Sequence, residues 1–326
     1  MKRAFFLGIL SGVIVVILLI RFFPPGDDFH LDNPFWNGLK DLKEESGASP
    51  VNLKSAFRLM VSPSRSVLFI IGPSGSYTDR EISLISGYLQ GGGTLFLADD
   101  FGSANSILRG LGLKTRFTGH LVVDPLFRGK AQVFVKTVDF GGQLTQIESL
   151  MFNYPASLQV ASGEGKVLAF SSPFSFYDDN LNGKREKDEA QGPFPMIAFI
   201  PYRGGKIYLV SDSSLFINCM LNEGENKKLL QTVIKNKKVI VDVSHHPAGT
   251  LLKLKNAELM AYEFLSRFEV RYSVFLVLVI CILLIRFKKK KVMLEEEIES
   301  IIESILGKHP TWSKDTLIKL KKELGK

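Results

Sequence analysis

Two cysteines in 326 residues cannot build a disulfide framework. Cys281 lies inside an apolar run, so it is not expected to pair with Cys219, which is read as a lone thiol, buried rather than reactive. The chain also lacks zinc-finger spacing and any basic stripe interleaved with aromatics. Nucleic acid is therefore not an expected partner, despite a net charge of +8. There is no internal repeat and no low-complexity tract. Long apolar runs are scarce too, which argues against a multi-pass transporter.

Two such runs are present. Ala4–Ile20 carries no charge and is followed by Arg21 and Pro24-Pro25. Its seventeen residues rise roughly 26 Å as a helix, near the ~30 Å of a bilayer's hydrocarbon core. A cleaved signal peptide is the rival reading, but no small-x-small cleavage site follows, so an uncleaved anchor is expected. Tyr272–Ile285 alone reaches only ~21 Å, and Arg271 and Arg286 extend it by sending their charged ends to opposite interfaces. A buried core helix is the alternative there, and the abrupt run Lys288–Lys291 opposes it.

Basic residues border both runs on what should be the inner side: Lys2 and Arg3 before the first, Arg286–Lys291 after the second. This predicts a two-pass protein of the cytoplasmic membrane with both termini cytoplasmic. Its expected parts are an anchor over residues 1–23, an extracytoplasmic domain over 24–269, a second membrane helix over 270–287 and a helical tail over 288–326.

Within the outer domain, helices are expected at Trp36–Ser46 and Leu53–Met60, around a turn at Gly47–Pro50. Ser66–Ile71 reads as a buried strand, Thr78-Asp79-Arg80-Glu81 as a capping box opening a helix, and Thr94–Ala98 as the next strand. Such a unit implies parallel pairing. Val167–Ser171, Ile207–Val210 and Val239–Val243 read as further strands, and Ser213–Leu221 and Asn226–Lys235 as helices. Shorter, more exposed strands are expected over Leu121–Val160. Together these predict a three-layer α/β domain with a β-rich insertion.

Residues 70–112, IIGPSGSYTDREISLISGYLQGGGTLFLADDFGSANSILRGLG, resemble the family called domain of unknown function 4350, as do VSDSSLFINCMLNEGEN at Val210–Asn226 and VDVSHH at Val241–His246. The resemblance covers most of Phe35–Pro247. It implies a flavodoxin-like sheet, similar to class I glutamine amidotransferases and to GldG-like accessory domains of transport systems. It brings no settled activity. Val243 stands where the family pattern often has an acidic residue, which weakens a catalytic role for Asp242.

An amidotransferase needs a cysteine on a sharp strand-to-helix elbow, and neither strand-end loop supplies one. A serine hydrolase would need Ser74 or Ser213 as nucleophile and His245 or His246 as base, but Gly-Pro-Ser-Gly is not the required elbow. In a parallel sheet Ser74, Asp99, Asp100, Asp212, Ser213, Asp242, His245 and His246 should gather at the carboxyl edge, where α/β folds bind ligands. The plainer reading makes Asp212 or Ser213 a helix cap and the histidines part of a satisfied loop.

The most specific motif is DDNLNGKREKDE at Asp178–Glu189. Asp178, Asn180, Asn182, Glu186 and Glu189 occupy positions 1, 3, 5, 9 and 12 of a calcium loop, with Gly183 at the bend. Arg185 departs from the pattern and no helices flank it, so a lone, dockerin-like Ca2+ loop is expected, against a merely solvated one. In the tail, Val292–Leu306 and a helix capped by Ser313 carry apolar faces, the second with Leu317, Leu320 and Leu324. A protein partner, the membrane surface or each other would cover them, and the acidic first helix favours a cytoplasmic protein partner.

The sequence thus predicts a non-enzymatic membrane accessory or scaffold protein whose outer domain binds a ligand or partner. Its tail would couple to cytoplasmic machinery, in an envelope or transport-associated complex with an ATPase system alongside. The alternative is a membrane-anchored hydrolase using the Asp/His cluster.

Overall fold

In the computed structural model of the chain, residues 2–309 and 311–324 are described, in two compact units, residues 1–254 and 255–326. The side chains of Lys2, Arg3 and Leu324, used in the sequence reading, lie outside the described residues.

The first unit begins with α1 (Lys2–Phe22), whose apolar side chains are uncovered. An eight-stranded mixed sheet follows. Its strands are β1 (Ser49–Val51), β2 (Ser66–Ile71), β3 (Thr94–Ala98), β4 (Asp139–Phe140), β5 (Lys166–Phe170), β6 (Pro195–Tyr202), β7 (Gly205–Val210) and β8 (Lys238–Asp242). They lie in the order β1-β8-β2-β3-β7-β6-β5-β4. The first five are parallel, and β6, β5 and β4 each run antiparallel to the neighbour before them.

Every residue of β2 and β3 is buried, as befits parallel strands covered on both faces. Alternation then divides the core. Val67, Phe69 and Ile71 face α2 (Lys40–Ser46) and α5 (Asn226–Ile234) through Leu39, Leu42, Leu229 and Leu230. Leu68 and Ile70 face α3 (Asp79–Gln90) and α4 (Asn105–Gly110) through Ile85, Leu89, Ile107 and Leu108. The result is three layers.

The β2–α3–β3 unit forms as its sequence requires. Thr78 accepts the Glu81 N–H, and the Glu81 carboxylate accepts the Thr78 N–H at 2.7 Å, closing the capping box. Gly92 continues past the helix at φ +85°, so β3 can turn back beside β2.

Several expectations need correction. Gly47–Pro50 leads into a strand, since Ser49–Val51 pairs with β8 at the edge of the sheet. Leu53–Met60 forms turns rather than a helix, because Asn52 Oδ1 holds the Ser55 N–H and the Arg80 guanidinium holds the carbonyls of Lys54 and Ala56. Ser213–Leu221 forms one tight turn, Ser213–Phe216, and no further helix. Asn218 instead braces the N-terminal segment, donating to the Asn33 and Phe35 carbonyls and accepting the Asp41 N–H. Cys219 is exposed, not buried. The two-residue strands of the Leu121–Val160 region are short as expected and partly covered: Val122, Val123, Thr137, Leu150 and Leu158 are buried, whereas Asp139 and Gln159 are exposed.

α6 (Thr250–Ser266) leaves the first unit, and Arg267 breaks the helix with ψ 136°. In the second unit α7 (Phe268–Lys308) runs 41 residues without interruption, so the expected membrane run and the first tail helix are one helix, which ends one residue past Gly307. α8 (Lys314–Leu324) packs on the end of α7, with Lys314 Nζ 3.1 Å from Glu299 and Ile302 buried. Ala4–Phe22 and Phe268–Lys308 are both long and apolar enough to cross a membrane.

Candidate ligand cleft at the carboxyl edge

Parallel strands deliver their last residues to one edge of a sheet, and here those residues are polar. β2 ends into Gly72-Pro73-Ser74, β3 into Asp99-Asp100, β7 into Ser211-Asp212-Ser213, and β8 into Asp242 and the His245-His246 turn. The structure brings the eight candidate residues to this edge and then divides them. Ser74, Asp99, Asp100, Ser213 and His246 line a cleft of about 1080 Å³. Asp212, Asp242 and His245 lie behind it, buried.

The carboxylates tie the edge loops together. Asp99 accepts the N–H groups of Phe101 (3.2 Å) and Ala104 (2.7 Å). Asp100 reaches across to β7, accepting the Ser213 N–H at 3.0 Å and the Ser213 hydroxyl. Asp212 accepts the N–H groups of Asn153 (2.7 Å) and Ser214 (2.6 Å). Burial raises all three above the ordinary carboxylate range. It pushes Asp100 up to about 7, against the Ser213 hydrogen bonds and with help from the Asp99 charge. Asp212, fully enclosed and facing Asp100, is raised as well.

Gly72 makes the close approach of these loops possible. Its φ is +53°, and a Cβ there would meet the Phe29 ring at 2.8 Å and Ser213 Cβ at 3.1 Å. Ser74 donates both its N–H (2.8 Å) and its hydroxyl (2.6 Å) to the His245 carbonyl. His246 Nε2 lies 2.6 Å from the Ile71 carbonyl and so carries the proton. Its ring centroid is 5.6 Å from that of Phe29, and burial lowers its pKa.

Behind the cleft is a second, buried network. Asp242 Oδ2 lies 2.7 Å from His245 Nδ1 and accepts the Tyr77 hydroxyl at 2.9 Å. Its Oδ1 accepts the Ser244 hydroxyl (2.6 Å) and N–H (3.0 Å). His245 stacks on Tyr77 at 3.7 Å between centroids, and its Nε2 lies 3.4 Å from Glu81 Oε1, both side chains almost fully buried. Burial raises the Asp242 pKa, but the His245 and Ser244 hydrogen bonds outweigh it and hold the group below its ordinary value.

This arrangement bears on the hydrolase chemistry considered above. The Ser74 hydroxyl meets a carbonyl and the Ser213 hydroxyl a carboxylate. The His245 ring points inward, to Glu81 and Asp242. Tyr77, Glu81 and Ser244 were not anticipated. Glu81 reads in the sequence only as a capping residue, and nothing local signals that its second oxygen reaches His245. The cleft's aromatic rim, with Trp36, Phe101 and Tyr154, was missed as well, although a phenylalanine directly after Asp99-Asp100 is a signal in its own right.

The Asp178–Glu189 loop lies elsewhere. Asp178 is buried and accepts the N–H groups of Asn182 (2.9 Å) and Gly183 (3.0 Å). Buried Glu189 accepts those of Asp179 (3.2 Å) and Glu186 (2.9 Å). Gly183 makes the bend at φ +69°. Among the described residues no three His, Cys, Asp or Glu side chains are gathered as a group able to hold a metal ion. The oxygen donors lie in calcium-loop order, but the loop would have to draw in around an ion.

Residues 32–234 match the family described as Domain of unknown function (DUF4350). The chain belongs to this DUF4350 family. The cleft outgrows the matched segment, since His246–Gly249 complete its wall. No curated protein matches the chain. Among solved structures, the one described as "mmIFT52 N-terminal domain" is 17% identical with a TM-score of 0.41, over 52% of this chain and 75% of that one. A beta-galactosidase from Bacillus circulans sp. alkalophilus is 13% identical with a TM-score of 0.31, over 53% and 23%. The exo-beta-1,4-mannosidase Op5Man5 from Opitutaceae bacterium strain TAV5 is 12% identical with a TM-score of 0.28, over 52% and 24%. The chain spans less than a quarter of either glycosidase, and at these scores the likenesses carry no inference about it.

Proposed function

We propose that this DUF4350 protein is a non-enzymatic, two-pass membrane accessory protein. Its α/β domain lies outside the cytoplasm and binds a ligand or partner in the carboxyl-edge cleft. The domain is flavodoxin-like, akin to amidotransferase-like and GldG-like domains, and lacks an elbow cysteine. The observation that carries the reading is the cleft itself: a large opening at the edge where α/β sheets bind ligands, with the Ser74 and Ser213 hydroxyls committed to structural hydrogen bonds. The basic residues beside the two apolar helices support the orientation, and the tail helices support coupling to a cytoplasmic partner, an ATPase system among the candidates.

The Asp178–Glu189 loop takes calcium in this reading, held by Asp178, Asn180, Asn182, Glu186 and Glu189. A hard oxygen donor set suits that ion and would tether the loop.

Protease added to sealed, right-side-out vesicles tests the arrangement. Cleavage within residues 24–269 and protection of the tail are expected. A fully protected domain, beside a control that behaves normally, would overturn the assignment of sides.

A further inference from the structure

The cleft's lining has a pronounced chemical bias. Asp27, Asp28, Asp99 and Asp100 all border it, while among the described residues lining it there is no lysine or arginine. An anionic ligand would find neither among those residues, while Asp28 is exposed and Asp27 half-buried beside the opening, so charge complementarity favours a cation. The other prominent lining is aromatic. Phe101 is 88% exposed, Trp36 66% and Tyr154 57%. Uncovered rings beside carboxylates form the kind of surroundings that attract organic ammonium groups, whose charge favours the ring face.

The position of the mouth narrows the source of that cation. Gly26, the first wall residue, follows the last residue of α1 by four positions, a reach of at most about 14 Å. Phe23, just beyond α1, lies 6.4 Å from the Phe35 ring, and Phe35 also lies against Gly26 and directly precedes Trp36. Trp36, brought beside the end of an apolar helix in this way, belongs at the depth of the lipid headgroups. From the charge bias, the exposed rings and this short tether, and resting on the two-pass reading above, we infer that the cleft binds the ammonium headgroup of a membrane lipid.

Trp36 reports on the site directly, because the chain has only one other tryptophan. The full chain carrying Trp312→Phe is placed in nanodiscs of phosphatidylglycerol with graded phosphatidylethanolamine, and Trp36 emission is followed. A saturable change with phosphatidylethanolamine, reversed by millimolar ethanolamine, is expected. Phe101→Ala, at a site too exposed to matter for folding, should weaken the response about three- to tenfold. Asp28→Asn, which keeps the side chain's shape, should weaken it further.

No dependence on phosphatidylethanolamine, or a dependence unchanged in both variants, overturns the inference. A response to soluble ethanolamine or to a lysine-rich peptide without one to the bilayer lipid overturns the lipid assignment. Extraction of the chain from vesicles by alkaline carbonate would count against the membrane reading itself, and is read separately from the emission.

Discussion

Replacing Asp100 with asparagine should stabilise the domain by about 3 kcal/mol more at pH 8 than at pH 5, and leave it nearly unchanged only below about pH 4. In the folded chain Asp100 titrates at about 7, against an ordinary value of 3.8. A raised acid binds its proton more tightly folded than unfolded, so its contribution is full below about pH 4 and is lost as pH rises towards 7. Each unit is worth about 1.4 kcal/mol, so the two units from pH 5 to the folded value cost about 3 kcal/mol. Asp212 faces the same charge, and the two titrate as a pair. Asparagine can still accept the Ser213 N–H and can donate to its hydroxyl, so the loop contact survives. Pulse proteolysis of the full chain in urea, at pH 5 and pH 8, measures the difference. A flatter pH profile in the variant is expected. Equal slopes in the two proteins would show that the cleft carboxylate is not held in a high-pKa state, and the electrostatic account of the site would fail.

Tyr77→Phe removes one charged, buried hydrogen bond to Asp242 and should cost about 1.5–3 kcal/mol by the same urea assay. Asp242→Ala strands His245 and Tyr77 together and should cost about 3–5 kcal/mol. Because the Asp242 pKa is lowered by folding, its stabilisation should be complete above pH 4 and fade as pH falls through the folded value. Gly72→Ala meets both a left-handed φ and the Phe29 ring, so a loss above about 1 kcal/mol is expected in thermal unfolding. With a dissociation constant of about 10⁻⁴–10⁻³ M, 10 mM Ca2+ should stabilise the domain by about 1.4–2.7 kcal/mol and raise its Tm by roughly 3–10 °C. Asp178→Ala should abolish the shift, and an absence of heat on calorimetric titration at millimolar Ca2+ would refute calcium binding.

The parts of the fold most legible in the sequence are those whose signals are local and mutually consistent. Thr78, Glu81 and Gly91–Gly93 mark both ends of α3, and the all-apolar runs on either side can only be buried strands. β6 escaped because Pro195 and Pro201 stand near its ends, and proline inside an apolar run argues against a strand. What holds it is the tight Arg203-Gly204 turn into β7, both residues at positive φ. The helix expected after Asp212 failed because Asn218 spends its side chain on the Asn33–Asp41 segment, a contact no window of sequence displays. Strand-end chemistry was readable because a parallel sheet sends every strand terminus to one edge. The separation of the cleft from the Asp242–His245 network was not. It depends on where Tyr77 and Glu81 turn, and both are long-range matters of packing.

The position of β8 has a practical consequence for anyone trimming this chain. The segment that matches the family ends at residue 234, four positions before β8 begins, yet β8 sits between β1 and β2 rather than at the rim. A chain cut at that boundary would not lose a dispensable tail. It would open a slot one strand wide, leave the backbone donors and acceptors of β1 and of one edge of the fully buried β2 without partners, and present a ready template for another copy to fill. Such a truncation should aggregate, whereas one ending after Gly249 keeps the sheet closed.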